Sequence, residues 1–455
     1  MNATPSTRRG KRFPWLIALA VLLLIGVVAF FLIVGPEPLT FSKGRKVDLA
    51  DYHASDPSGV PAALAQASLI KRGEYLAKAA DCIVCHTAQG GRPYAGGFAF
   101  VLPFGTLYST NITPDKATGI GNYTDAEFLA AVHRGVRRDG ARLYPAMPYT
   151  SYTYMTDADA LAIKAYLFSL APIDSPNKPN ALAFPFNQRW AMGVWSALFR
   201  SNERFKPDSE KSAEWNRGAY IAEALAHCGE CHTSRNLAFA LDNRKKFGGA
   251  LTAGWRAYNI SSSKESGVGA WSDEELIAYL ANGHAAGHGS AAGPMGEAVD
   301  ESFSQLAPED IHAIVAYLHS VPGSVSSDVP ATLAPAASES YNEGRATADS
   351  RGKQVFEGAC ASCHGWSGIS DISEYATLTG ARAVNDPHGT NVAQIVLAGM
   401  KRSSPAGVTE MPGFGAAYSD SDIAAVTNYV TTRFGSSASN LSAADIAKMR
   451  RETAQ

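Results

Sequence analysis

Cysteine is scarce in this chain, with six residues in 455. All six fall in pairs, and a His follows every second one, an order that a disulfide framework has no reason to produce. Net charge is nearly absent: 40 Lys and Arg stand against 42 Asp and Glu, for −2 overall. That balance gives no reason to expect a nucleic-acid partner. Charged residues are 18% of the chain and hydrophobic ones 46%, which is ordinary for a globular protein. No strand–helix–strand pattern surrounds any cysteine pair, which argues against a thioredoxin-like redox motif.

What is present is one five-residue pattern, three times over: Cys82-Ile83-Val84-Cys85-His86, Cys228-Gly229-Glu230-Cys231-His232 and Cys360-Ala361-Ser362-Cys363-His364. C-x-x-C-H is the attachment signature of c-type haem. Two thiols three positions apart can each add to one vinyl group of the same porphyrin. The His that follows is then held against the iron as its proximal ligand. Structural zinc would need four ligands close together, whereas these pairs stand more than a hundred positions apart. The reading is three covalently bound haem c groups.

At ~150 residues per domain the length suits about three domains. Arg8, Arg9, Lys11 and Arg12 precede an uncharged apolar run from Trp15 to Val34. Twenty residues at ~1.5 Å each give ~30 Å, the thickness of a bilayer core. The run is longer than the apolar part of a signal peptide, and Ile33-Val34-Gly35-Pro36 is a poor cleavage site. It is therefore expected to be an uncleaved transmembrane anchor with its basic flank in the cytoplasm.

The rest of the chain repeats itself. Arg72-Gly73-Glu74-Tyr75 before the first motif is answered by Arg217-Gly218-Ala219-Tyr220 before the second, and Asn111-Ile112-Thr113 by Asn259-Ile260-Ser261. Helices are predicted to start at capping boxes, Thr124 with Glu127 and Ser272 with Glu275, and to stop at Gly135 and Gly283. Each pair of Asn and Gly lies 24 positions apart, as repeated structural units require. Each unit also closes on a helix bearing a Tyr, at 166, 317 and 429. The aromatic-rich stretch Pro172–Asn216 is long enough to carry structure of its own. It is expected to fill the groove between units, with a membrane or partner contact as the alternative.

Haem iron held by His needs a sixth ligand to serve pure electron transfer, and Met suits that role by raising the potential. Met147, Met295 and Met411 each stand 12 positions after a helix-ending glycine, Gly135, Gly283 and Gly399, and each touches a proline. That proline is expected to hold the Met in an extended loop. Met155 and Met400 match nothing in the other repeats. His284 and His288 are the alternative for the second haem, but they too lack counterparts. His133, His227 and His388 receive no ligand role.

The stretches Arg72–Ala77 through Cys82–Thr87, Phe104–Pro114 and Leu143–Tyr149, with Gly293-Pro294-Met295 and Met411-Pro412-Gly413-Phe414, resemble the triheme cytochrome c subunits of membrane-bound periplasmic dehydrogenases. Those subunits serve alcohol, aldehyde, gluconate, sorbitol or fructose dehydrogenases. The resemblance covers about residues 65–435. It implies an all-α fold, three tandem class I cytochrome c domains, here joined to an N-terminal transmembrane helix. The expected layout is flank and anchor 1–34, tether 35–61, first domain 62–172, aromatic-rich linker 173–214, second domain 215–322, flexible linker 323–346, third domain 347–435 and a C-terminal helical tail 436–455.

By the same resemblance the chain is no enzyme on its own. A separate catalytic subunit, carrying flavin, a quinone cofactor or molybdopterin, would oxidise the substrate. Its electrons would pass through the three His/Met haems to ubiquinone in the membrane or to an oxidase. The expected location is the bacterial inner membrane, single-pass, with the haem domains in the periplasm. The competing readings are a cytochrome c subunit of a terminal oxidase, which an anchor followed by haem domains also suits, and a peroxidase, which would need one haem to lose its Met.

Overall fold

A computed structural model describes residues 13–34, 58–324, 350–404 and 407–453. The basic N-terminal flank, most of the expected tether and nearly all of the second linker lie outside the described residues. Three helical units follow one another. In each, an opening helix leads into a short helical turn that carries the C-x-x-C-H motif, and a closing helix crosses back over the opening one. The pairs are Leu69–Ala79 with Asp157–Ser169, Ala213–Tyr220 with Pro308–Ser320, and Ser350–Ala359 with Asp420–Phe434.

A glycine stands at each crossing. A Cβ on Gly73 would lie 1.9 Å from the Ala162 carbonyl oxygen, on Gly218 1.8 Å from that of Ala313, and on Gly352 2.3 Å from that of Ala425. Only a residue without Cβ lets the two backbones approach this far. The same three Cβ positions would touch Tyr166, Tyr317 and Tyr429, so the repeated tyrosines do sit on the crossing. In the third unit Tyr429 packs on Phe356 with ring centroids 5.5 Å apart. The helix between motif and Met also forms where expected. Asp125–Arg134 and Asp273–Asn282 begin at complete capping boxes and end at Gly135 and Gly283, both left-handed. The buried Asn111 and Asn259 hold the loops before these helices. Each accepts from the backbone and hydroxyl of the residue two on, Thr113 or Ser261.

The first two units share one continuous core, and the third has its own. The linker helix Ala191–Phe199 lies in the groove between the first two. Trp195 packs edge-on to Tyr149 of the first unit and donates to the Ala238 carbonyl of the second at 2.7 Å. Its other stripe, Trp190, Val194 and Leu198, stays exposed. The C-terminal helix Ala443–Thr453 packs on the third unit through fully buried Ile446.

Two expectations are corrected. The fold is not purely helical: four small antiparallel sheets are present among the described residues, built on Ala99–Leu102 with Gly105–Tyr108 and Ala181–Leu182, Ala250–Thr252 with Trp255–Ala257, His284–Ala285 with Gly289–Ser290, and Met400–Ser404 with Gly407–Met411. Strands of two to five residues are too short to leave a clear alternating pattern. The expected transmembrane helix is not supported either. The N-terminal run is helical over Phe13–Val34, but among the described residues no helix is long and apolar enough to cross a membrane. The single-pass inner-membrane location falls with it.

Candidate haem centres

Each motif His is held by its Nδ1. His86 donates to the Thr110 carbonyl at 2.7 Å, His232 to that of Tyr258 at 2.6 Å and His364 to that of Ala376 at 2.6 Å. A carbonyl only accepts, so the proton sits on Nδ1 and the Nε2 lone pair is left free. This is the tautomer and orientation that a metal-ligating His adopts. Burial lowers the pKa of all three, that of His232 to about 4. The imidazoles are therefore neutral at pH 7, the form that can coordinate.

None of the six cysteines is in a disulfide; five are half-buried and Cys363 is exposed. Burial pushes Cys82 and Cys228 up to about 12 and Cys231 and Cys360 up to about 11. Each pair sits on one helical turn with its His, which suits two thioether bonds to one porphyrin. Among the described residues no group of three or more His, Cys, Asp or Glu could hold a bare metal ion. The donor set thus fits haem, with Cys82, Cys85, Cys228, Cys231, Cys360 and Cys363 for the porphyrin and His86, His232 and His364 for iron.

The three methionines reach their places by different local structures. Met147 lies in a loop two residues before Tyr149, whose ring packs under Gly135. Met295 is instead on the first turn of the helix Gly293–Glu301, where Pro294 is tolerated because the first helical N–H groups have no partner anyway. Met411 ends a strand and pairs with Met400. The extended-loop expectation fails for Met147, which sits in a turn with its N–H donating to the Tyr144 carbonyl at 3.1 Å, and for Met295 on its helix, while Met411 is extended but within a strand. Met147 and Met295 both pack against the shared core.

His284, His288 and His227 have side-chain partners of their own. His284 meets Ser290 Oγ at 2.9 Å and packs on Tyr375 of the third unit. His288 stacks on Trp271 at 3.6 Å. His227 packs edge-on to Tyr152. His133 is buried, and among the described residues neither ring nitrogen has a hydrogen-bond partner.

Sequence reasoning missed the contacts that bring the first two motifs together. Tyr152, at the end of the short helix Tyr149–Tyr152 after Met147, donates to the Ala80 carbonyl just before the first motif at 2.6 Å. Glu230, inside the second motif, accepts from Thr150 at 2.8 Å and pairs with Arg235 at 2.7 Å. A cavity of about 600 Å³ opens at the same seam, bounded by Ile83, Tyr94 and Tyr166 on one side and Glu301 and Gln305 on the other.

The family model described as cytochrome c matches residues 70–171 and 350–433. The chain is 38% identical over 416 residues to the fructose dehydrogenase cytochrome subunit of Gluconobacter japonicus, covering 87% of this chain and 85% of that one. It is 37% identical over 424 residues to the gluconate 2-dehydrogenase cytochrome c subunit of Pantoea cypripedii, covering 89% and 92%. It is 35% identical over 409 residues to the cytochrome c subunit of the quinone alcohol dehydrogenase of Gluconobacter oxydans (strain 621H), covering 85% and 83%.

Proposed function

The chain belongs to the cytochrome c subunits of membrane dehydrogenases, electron-transfer rather than catalytic subunits, and from that premise we propose that it carries three haem c groups in series. Through them the chain would accept electrons from a catalytic subunit bearing flavin, a quinone cofactor or molybdopterin, and pass them to ubiquinone or an oxidase. The observation that carries this reading is the threefold recurrence of a C-x-x-C-H turn whose His gives its Nδ1 proton to a backbone carbonyl. The proposed units are 62–172, 215–322 and 347–435, with ligand pairs His86 and Met147, His232 and Met295, His364 and Met411.

Each haem iron supplies a one-electron couple between ferric and ferrous states. The residues do the rest. Thioethers from the cysteine pairs keep the group attached in both states. The backbone carbonyls of Thr110, Tyr258 and Ala376 fix the imidazole planes, so little rearrangement accompanies electron transfer. The seam between the first two units, held by Tyr152 and Glu230, keeps those two motifs at fixed separation.

The test is a pyridine haemochrome assay on the purified chain, with mass spectrometry for covalent attachment. Three haem c per chain is the expected result, and two or fewer overturns the reading. Pull-down from detergent extracts, with substrate-dependent haem reduction, then identifies the catalytic partner and its substrate class.

A further inference from the structure

The site of His232 has a cation from another unit beside it: Arg382 of the third lies against Tyr258, the residue that holds the imidazole. Arg382 is only 9% exposed. Its guanidinium lies over the Tyr258 ring, 4.7 Å from the centroid. One of its nitrogens donates to the carbonyls of Asn259, at 3.2 Å, and Ser266, at 2.5 Å. Its own backbone N–H donates to the His288 carbonyl at 2.9 Å. Tyr258 is the residue whose carbonyl accepts the His232 proton.

We propose that Arg382 is a positioning residue for the second haem, a charge lent by the third unit that raises the reduction potential of the site on His232. The inference rests on the three-haem reading above. Two effects act in the same direction. A buried cation disfavours the ferric state, which carries one more positive charge than the ferrous. The positive charge, seated by the Tyr258 ring and the Asn259 carbonyl, also makes the potential at the Tyr258 carbonyl less negative, so that carbonyl pulls less strongly on the His232 proton and the imidazole becomes a weaker donor. Burial lowers the Arg382 guanidinium only to about 10, so it stays charged at neutral pH.

Asp386 partly offsets this charge. It is fully buried, 3.4 Å from the Tyr258 hydroxyl and 3.4 Å from Arg256. The site is thus a tuned set, with Arg256 and Arg382 against one carboxylate, assembled only when the third unit docks on the second.

The experiment is spectroelectrochemical titration of the full haem-loaded chain, with Met295→Ala used to mark the component that belongs to the second haem. Arg382→Gln is expected to shift that component alone to lower potential. Arg382→Lys, which keeps the charge, is expected to restore most of the shift. Asp386→Asn is expected to shift the same component upward, and it decides the matter if Arg382→Gln does not fold. Three components that all move together, or none that moves in either variant, overturn the proposal while leaving the three-haem reading intact. A wild-type chain with fewer than three haems overturns that reading first, and the haemochrome count reports it independently.

Discussion

The Tyr75 hydroxyl of the first unit donates to Oδ2 of Asp310 in the second, at 2.5 Å and across 235 residues of sequence. The contact has a mirror. Tyr220 of the second unit donates to Oδ2 of Asp159 in the first, at 2.6 Å. Even the accessory bonds repeat, with Ala307 N–H donating to Tyr75 and Thr156 N–H to Tyr220, both at 3.1 Å. The two units are therefore joined as a symmetric dimer joins, the same patch of each meeting the other around a local two-fold axis. The third unit has Gln354 where the tyrosines stand and attaches by a different face, through Arg382 and Arg402.

The mirrored tyrosines should not cost the same to remove. Asp310 keeps two bonds from Arg217 when Tyr75 is lost, at 2.8 and 2.7 Å. Among the described residues Asp159 keeps one donor, the Gly59 N–H at 2.7 Å, when Tyr220 is lost. Tyr220→Phe is expected to destabilise by ~2–3 kcal/mol and Tyr75→Phe by ~1 kcal/mol, since an undersatisfied buried carboxylate carries the larger penalty. Thermal melts of the two variants check the order, and equal losses would contradict it.

The crossing glycines admit no side chain. Gly73→Ala, Gly218→Ala and Gly352→Ala each force a methyl into a carbonyl oxygen, and each is expected to cost ~3 kcal/mol or more as the helices part. Gly352→Ala should affect the third unit alone, because its core is separate. Limited proteolysis of that variant should release the third unit while the first two stay resistant.

His133 should make stability depend on acid. Burial, with Arg204 nearby, lowers its pKa from 6.5 to about 4. Between those values the unfolded chain binds a proton that the folded chain refuses. Stability is thus fully present above pH 6.5, falls as pH drops towards 4, and levels off below it. The span is worth ~3 kcal/mol. His133→Leu is expected to flatten that part of the profile, measured as the difference from wild type in urea midpoints between pH 7.5 and 4.

The methionine assignments predict spectra. Met147→Ala, Met295→Ala and Met411→Ala should each remove the low-spin signature of one haem in three and leave the other two unchanged. A variant whose reduced spectrum matches wild type has lost a methionine that was not a ligand.

How much could be read in advance follows from distance along the chain. The C-x-x-C-H turns, the capping boxes at Thr124 and Ser272, and the glycine stops are contiguous patterns, so their local structure was legible residue by residue. The spacing from each glycine to Met147, Met295 and Met411 was legible because the units repeat. The conformation there was not, since loop, helix and strand all bridge the same 12 positions. The histidine carbonyl partners follow their histidines by 24, 26 and 12 positions, an irregular spacing that no motif announces. The apolar run near the N-terminus was over-read, and the short hairpins were too brief to read at all.

Sequence alone determined that there are three C-x-x-C-H turns, which side chains they offer, and where each unit opens and closes, because these depend on neighbours in the chain. Tertiary structure alone decided that the first two units clasp through Tyr75, Asp310, Tyr220 and Asp159, and that Arg382 of the third reaches the Asn259 carbonyl, one residue beyond the one that holds His232. Those are pairings of buried charges and donors across more than 60 residues, up to 235. No local pattern encodes them, because their partners are chosen by which surfaces exclude water together and which buried polar groups must then be satisfied.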